Sequence, residues 1–431
     1  MNKRNISLRC GDRLVSVSVP EGVRYQIGAL RRPDAKAEPA AVIREALDHP
    51  VGAPRIEAML RPGQRVCIIS DDNTRATPVA DVLRELLPRI EGAGIRREDI
   101  TIIFALGSHR RMTLREMAEK VGGDTAARYR LLNSEFEDDA QLVEVGKSEL
   151  GTPIRVFRPA MEADVRIGIG SVVPHGCMGW SGGAKILYPG ITSADIVSEF
   201  HVMQGLHEET LFGMTEAPTR LAVERWTRHI GLHYIVNTVL DADLAPYRAA
   251  AGDYVLAQRR AVSYARELCG IPLRERPDVI LTAAYPIYMD FWQCGKAAYG
   301  PSGVIRGGGE LLLLADCREG VGPHEKMLEY MALEDGTAEL RRRLERHETG
   351  EDLLTLAVGA SMGRIARSCR MTLVTDGLSP EECARGLMAH SPVRGLQRAL
   401  ESSLSRFDDP FLLILPEGGE AVPELADRAA T

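Results

Sequence analysis

Three histidines and one lysine stand where chemistry could be done: His109, His175, His201 and Lys185. His109 lies in Gly107-Ser108-His109-Arg110-Arg111-Met112-Thr113, directly after the apolar run Thr101–Leu106. A histidine at the C-terminal end of a strand, beside a glycine, can present its imidazole to a cleft as acid or base. Taken alone, such a histidine is more often a surface or satisfied core residue. The densest segment is 170–190, GSVVPHGCMGWSGGAKILYPG, which gathers six glycines around His175 and Lys185. Glycine permits positive φ and close backbone approach, at an entropic cost that a plain connector would not normally carry. Gly179 and Lys185 stand in register with a phosphate-binding P-loop, but Ala184 replaces its second glycine and Ile186 its Ser/Thr. A magnesium-dependent NTPase is therefore disfavoured. The stretch 193–208, SADIVSEFHVMQGLHE, reads as a helix bearing His201. His207, six residues on, does not share its face as a metal pair would. His201 remains a candidate single ligand, with imidazole suiting nickel, zinc or copper.

Two further segments offer charge. Asp71-Asp72-Asn73-Thr74-Arg75-Ala76-Thr77-Pro78 follows the run RVCIIS and leads into a helix. Amides at that helix start favour an anion, and Arg75 offers a two-pronged donor for a carboxylate or phosphate. The plainer alternative is a capped loop with Asp72 and Arg75 paired to each other. In 285–300, YPIYMDFWQCGKAAYG, Trp292 and Lys296 share a face if the segment is helical, with Gln293 beside them. An aromatic, an amide and an ammonium suit a small anionic, hydroxyl-bearing ligand; the alternative is Trp292 in the core and Lys296 in water.

These groups need a scaffold. Short apolar runs recur at 65–70, 101–106, 165–173, 234–240, 278–283, 310–316, 371–375 and 411–415. Several are near-continuous rather than alternating, as in strands covered on both faces. Between them lie stretches of helical period: 79–91, opened by Thr77-Pro78 as cap and first turn; 254–269, stopped by Gly270; and most of 325–367. The fold expected is α/β, with two domains of mostly parallel sheets flanked by helices and the active site in the interdomain cleft. The Pro- and charge-rich GIPLRERP at 270–277 sets the boundary. The domains read as 1–270, binding the cofactor, and 271–405, with 406–431 packing back on the first.

A chain of 431 residues is too long for one comfortable core. With 45% hydrophobic and 26% charged residues it has ordinary globular composition. A net charge of -7 and 5% aromatics give neither a basic footprint nor stacking platforms, so nucleic acid is not expected as a partner. The eight cysteines form no CxxC pair and read as reduced, buried residues. No stretch approaches the roughly 20 apolar residues of a membrane span, and the first residues hold no signal-like apolar run. A cytoplasmic protein, without membrane partners, is expected.

Taken together, DDNTRATP, GSHRRMT, PHGCMGWSGGAKILYPG, EFH and FWQCGKA resemble the nickel-pincer lactate racemase family and its 2-hydroxy-acid racemase and epimerase relatives, over roughly residues 65–300. The resemblance implies that Lys185 is joined covalently to a nickel-pincer nucleotide, a pyridinium-3,5-bisthiocarboxylic acid mononucleotide carrying Ni(II). It implies that His201 supplies a further nickel ligand. Asp72 and Thr74, with Gly182 and Gly183, would hold the nucleotide part. Arg75 and Lys296, with Gln293 nearby, would bind the substrate carboxylate. Trp292 would line the substrate site, where the indole puts lactate itself in question. His109 and His175 would be the acid/bases on opposite faces of the substrate. Removing hydride from C2 while a histidine takes the hydroxyl proton avoids a carbanion beside a carboxylate. Its return to the other face inverts the centre, and a histidine of ordinary pKa, about 6.5, can serve as acid or base. The partners implied are a small 2-hydroxy acid and, transiently, the enzymes that make the cofactor. Two other readings remain: a lysine Schiff-base enzyme acting through Lys185, and a non-catalytic nucleotide- or anion-binding protein.

Overall fold

The computed structural model describes residues 5–33, 38–107, 109–346, 348 and 350–426. The chain divides into two compact units, Met1–Arg31 with His201–Gly213 and Cys269–Thr431, and Arg32–Phe200 with Met214–Leu268.

The second unit is built on a six-stranded sheet. Its order is Pro246–Gly252, Tyr234–Leu240, Val165–Ser171, Val66–Asp71, Ile100–Ala105 and Arg130–Asn133. All neighbours are parallel except the first two. Val66–Ser70 is buried at every position, as is Val165–Gly170, so both faces are covered and the apolar runs need no alternation. Helix Val79–Gly92 lays Val82, Leu83, Leu86, Leu87 and Ile90 on this sheet. Each such side chain removed from water contributes about 1.5–3 kcal/mol. Its start differs from the expectation. Pro78 stands at the cap position with no side-chain cap bond, because the Thr77 hydroxyl donates to Asp71 instead.

The other unit carries a wholly parallel sheet ordered Ala389–Ser391, Arg370–Val374, Glu310–Leu314, Val279–Ala283, Phe411–Leu415 and Arg24–Ile27. The α/β expectation and all eight apolar strands are therefore present, with ends moved by one or two residues. The stretch 325–367 forms helices Met327–Ala332, Gly336–Glu345 and Glu351–Ser368. One boundary falls at Leu268–Cys269, beside the one expected near 270, but the rest of the partition does not follow 1–270, 271–405 and 406–431. Arg24–Ile27 pairs with Phe411–Leu415 at one side of this sheet, drawing the N-terminal segment into it. Phe411–Leu415 in turn pairs with Val279–Ala283, so the C-terminal segment completes this unit instead of returning to the other. Helix Leu256–Cys269 ends at Gly270, as expected, and Gly270 also opens a strand, Gly270–Leu273, that pairs with Val422–Leu425. All eight cysteines are buried, with no disulfide among the described residues. No helix among these residues is long and apolar enough to cross a membrane.

Candidate active site

In the second unit the chain leaves Val66–Asp71 toward one side of the sheet, through Ile100–Ala105 and Arg130–Asn133. It then fills the other side, starting with Val165–Ser171. The order therefore reverses between Val66–Asp71 and Val165–Ser171, and open α/β sheets bind ligands beyond the carboxyl ends at such a reversal. The loops leaving these two strands hold Asp72–Arg75 and His175–Lys185, and the loop after Ile100–Ala105 holds His109. Ser108 of that motif lies outside the described residues.

His109 is oriented from behind. Its Nδ1 lies 2.8 Å from Asp72 Oδ2 and 3.4 Å from Thr74 Oγ1. Thr74 spends its own hydroxyl hydrogen on Asp72 Oδ1 at 2.6 Å, and its amide donates to the same oxygen at 3.1 Å. Burial pushes the Asp72 carboxyl up, but the bonds from His109 and Thr74 outweigh it and hold the group below its ordinary range. Asp72 is therefore a carboxylate and accepts the Nδ1–H of His109. Its partner is His109, not Arg75, which is exposed. A depressed carboxyl pKa contributes stability present above the unfolded value, about 3.9, and lost as pH falls through the folded value. Asp72→Asn is accordingly expected to flatten the fall of the denaturation midpoint below about pH 4; an acid limb identical to the parent's would count against the Asp72–His109 pair.

The neighbouring Asp71 anchors the loop to the sheet. Its Oδ2 accepts from Thr77 Oγ1 at 2.5 Å, and Lys120 Nζ lies 3.3 Å from its Oδ1. Burial raises the Asp71 pKa against the opposing pull of Lys120 and Thr77. Lys120, only 9% exposed, also donates to the carbonyl of Arg75 at 2.7 Å. Thr77 Oγ1 lies 2.8 Å from Ser171 Oγ, and Ser181 Oγ donates to the Ser171 carbonyl at 2.7 Å. The loops on either side of the reversal are thus sewn together by hydroxyls. Gly107, at φ +59°, donates to the Gly190 carbonyl at 2.9 Å, which ties in the His109 loop.

The segment after Val165–Ser171 is not a surface turn. Pro174–His175 pairs antiparallel with Gly179–Trp180, and Met178 and Trp180 are fully buried. His175 Nδ1 accepts from the Cys177 amide at 3.1 Å. Its ring meets that of Phe200 edge-on at 5.9 Å, and Lys185 Nζ lies 5.9 Å from the same ring's centre. One buried phenyl ring therefore touches both candidate groups. The glycines earn a different account from the one expected. A Cβ on Gly182 would meet Asn237 Oδ1 and Val172 Cγ2 at 2.7 Å, and one on Gly183 the Tyr254 carbonyl at 2.9 Å. Both have positive φ, and Gly183 N donates to Asn237 Oδ1 at 2.9 Å. Glycine is required here by the chain's own packing.

Two groups in this unit escaped sequence reasoning. Arg220, fully buried on helix Pro218–Ile230, donates to the carbonyls of Trp180, Ser181 and Met178 and pairs with Glu224. Lys120 was the other. An Arg–Glu pair at i,i+4 and a lysine on a charged helix normally read as solvated faces, so neither carried a signal.

The other unit holds His201 and the 290–296 set. His201 follows Phe200 within helix Ala194–Leu206, where the chain passes from one unit to the other. Asp290 caps the short helix Phe291–Cys294 by accepting from Gln293 N at 2.8 Å. The turn then tightens to a 3-10 helix at Gly295–Ala298, so Trp292 and Lys296 are not members of one regular α-helix. Lys296 Nζ donates to Gln293 Oε1 at 2.5 Å. Trp292 instead packs on His324, ring centres 3.9 Å apart, and His324 Nδ1 lies 3.2 Å from Thr355 Oγ1. His324, in the unremarkable GVGPHEK, had no sequence signal. Among the described residues no group of three or more His, Cys, Asp or Glu side chains could hold a metal ion.

A doubly wound unit with a carboxylate-backed imidazole, a second imidazole and an amine at its order reversal has the layout of an acid–base site carried by loops. Residues 10–212 match the lactate racemase N-terminal domain. The lactate racemase of Thermoanaerobacterium thermosaccharolyticum is 24% identical over 384 residues, 88% of either chain. That of Lactiplantibacillus plantarum is 27% identical over 283 residues, 65% of this chain and 66% of the relative. The solved lactate racemase apoprotein from T. thermosaccharolyticum superposes with a TM-score of 0.84 at 23% identity, covering 98% of this chain and 100% of that one. A crystal structure of a Thermotoga maritima protein gives 0.66 at 20% identity, over 91% and 100%. Residues 10–212 thus carry the lactate racemase N-terminal domain, and over most of its length the chain is similar to lactate racemases.

Proposed function

We propose that the chain is a racemase or epimerase that inverts C2 of a 2-hydroxy acid, lactate or a relative, with a nickel-pincer nucleotide attached at Lys185. The observation that carries this reading is the Phe200 ring shared by His175 and Lys185, beside loops that present a carboxylate-backed His109. The residues fit such a group. Lys185 offers an amine for covalent attachment, held by an aromatic face, and His201, the residue after Phe200, offers an imidazole of the type nickel accepts. When bound, the group would supply reversible acceptance of a hydride from C2.

The chain's own residues do the rest. Arg75 and Lys296, with Gln293, bind and orient the substrate carboxylate, and Trp292 lines the substrate site. With Nδ1–H given to Asp72, His109 exchanges its proton at Nε2, and Asp72 stabilises the imidazolium that forms. His175 serves as the second acid/base. Asp72 and Thr74 are reassigned from holding the nucleotide to orienting His109, and Gly182 and Gly183 to shaping the loop that presents Lys185.

Co-expression with the cofactor's biosynthetic enzymes and nickel is expected to add covalent mass at Lys185 and stoichiometric nickel, and the product should racemise at least one member of a panel of 2-hydroxy acids followed by chiral chromatography. Lys185→Ala should take no adduct. Intact-mass measurement and metal analysis check this; active enzyme with an unmodified Lys185 removes the reading.

A further inference from the structure

We propose that the chain itself holds His109 and His175 in opposite neutral tautomers, His109 protonated on Nδ1 and His175 on Nε2. The amide of Cys177 is then the positioning group that selects the second. Around His109, both atoms of the described residues within reach of Nδ1 are acceptors. Asp72 Oδ2 is a carboxylate oxygen, and the Thr74 hydroxyl has its hydrogen directed to Asp72 Oδ1. Nδ1 must therefore carry hydrogen, and Nε2 of the neutral ring keeps its lone pair. Around His175 the polarity is reversed. The Cys177 N–H points at Nδ1 from 3.1 Å, and a backbone amide cannot accept. A hydrogen on Nδ1 would set two N–H donors face to face, so the neutral ring carries its hydrogen on Nε2. The narrow turn of the Pro174–His175 and Gly179–Trp180 hairpin fixes that amide two residues from the ring it serves.

The consequence for turnover rests on the two-histidine reading given above. Inversion moves one proton from the substrate hydroxyl to one imidazole and returns one to the product alkoxide from the other, which must first be an imidazolium. His109 can accept at Nε2 as it stands. Neutral His175 cannot, because that nitrogen already holds hydrogen. To act as acid it must first gain a proton on Nδ1. After giving up the Nε2 proton it is left as the Nδ1–H form, facing the Cys177 amide. Either role requires the Cys177 contact to open. The two histidines are thus not interchangeable in the cofactor-free chain: His109 is set to receive, whereas His175 is held in check by its own loop.

Nitrogen-15 NMR of ring-labelled histidine in the full chain, free of cofactor and well above the ordinary imidazole pKa of about 6.5, distinguishes protonated from bare ring nitrogens. His109→Gln and His175→Gln assign the two signals by their loss. The expected spectrum shows protonated Nδ1 at His109 and protonated Nε2 at His175, the latter favoured about three- to tenfold beyond the ratio of a free imidazole, the share of one net hydrogen bond. Cys177→Pro, which lacks the amide hydrogen, should weaken the His175 preference to that of a free imidazole and leave His109 unchanged. The proposal is overturned if both rings show the same tautomer, if His175 carries hydrogen on Nδ1, or if the proline variant leaves its preference intact. Should that variant not fold, the parent spectrum decides alone. The measurement needs neither adduct nor turnover, so an absent Lys185 adduct and a wrong tautomer are separate failures.

Discussion

Alanine in place of His109 or His175 is expected to cut inversion by about 10²–10⁴-fold, the usual worth of a positioned acid/base, while the mass added at Lys185 stays the same. Both sites tolerate the truncation on structural grounds. Asp72 keeps the Thr74 amide and hydroxyl at 3.1 and 2.6 Å when the imidazole is removed, so its carboxylate, though 2% exposed, is not orphaned. His175 is held in its hairpin by backbone pairing with Gly179, which a side-chain truncation does not touch. Lys185 sits on a separate turn, Gly183–Ile186. A loss of activity with an unchanged adduct and melting curve therefore reports on proton transfer and not on assembly. Retention of inversion within about tenfold by either variant would end the two-histidine scheme, because removing one acid/base should leave one face of the substrate unserved.

What the sequence disclosed and what it hid follow from how far apart the interacting residues lie. Runs such as Val66–Ser70 and Leu311–Leu314 announced themselves because strands covered on both faces must be apolar throughout, and burial confirms this. Arg24–Ile27, RYQI, has no such signature, yet it joins a sheet through Phe411–Leu415, nearly the whole chain away. That pairing, invisible locally, draws the N-terminal segment into the unit of the C-terminal third. In the candidate site, His109, His175 and Lys185 stand out in the sequence by residue type beside glycine and strand ends. Their supporting partners do not. Asp72 looked like a mate for Arg75 because the two are neighbours in sequence, whereas the imidazole it orients arrives from the loop of the next strand. The Trp292–Lys296 face assumed a regular helix that tightens at Gly295. Trp292 found His324 instead, thirty-odd residues on and marked by nothing in its surroundings.

Arg220→Met is expected to destabilise the protein by about 1–3 kcal/mol, the range for a buried carbonyl that loses its donor, and to lower cofactor attachment at Lys185 in parallel. Arg220 is wholly buried; burial pushes its pKa down to about 10, with Glu224 pulling up and Arg259 down, so it stays charged at neutral pH. Its guanidinium serves the carbonyl of Trp180 and, at 3.3 and 3.4 Å, those of Ser181 and Met178. Methionine fills the space but donates nothing. Ser181 keeps Gln258 Nε2 at 3.2 Å and Met178 keeps the Trp180 amide at 2.7 Å, whereas the Trp180 carbonyl loses this buried donor, at about 1–3 kcal/mol. Glu224 is not stranded, because Arg259 still meets it with two bonds of 2.8 and 2.9 Å. The loss therefore falls on the loop that carries His175 and Lys185, not on the ion pair. Arg220→Lys separates charge from geometry. It restores the positive charge beside Glu224 but cannot spread donors over three carbonyls, so it should recover only part of the stability. Denaturant midpoints and intact masses of both variants check this. A methionine variant within about 0.5 kcal/mol of the parent, in the range of an ordinary surface change, would show that the loop holds its shape without the guanidinium.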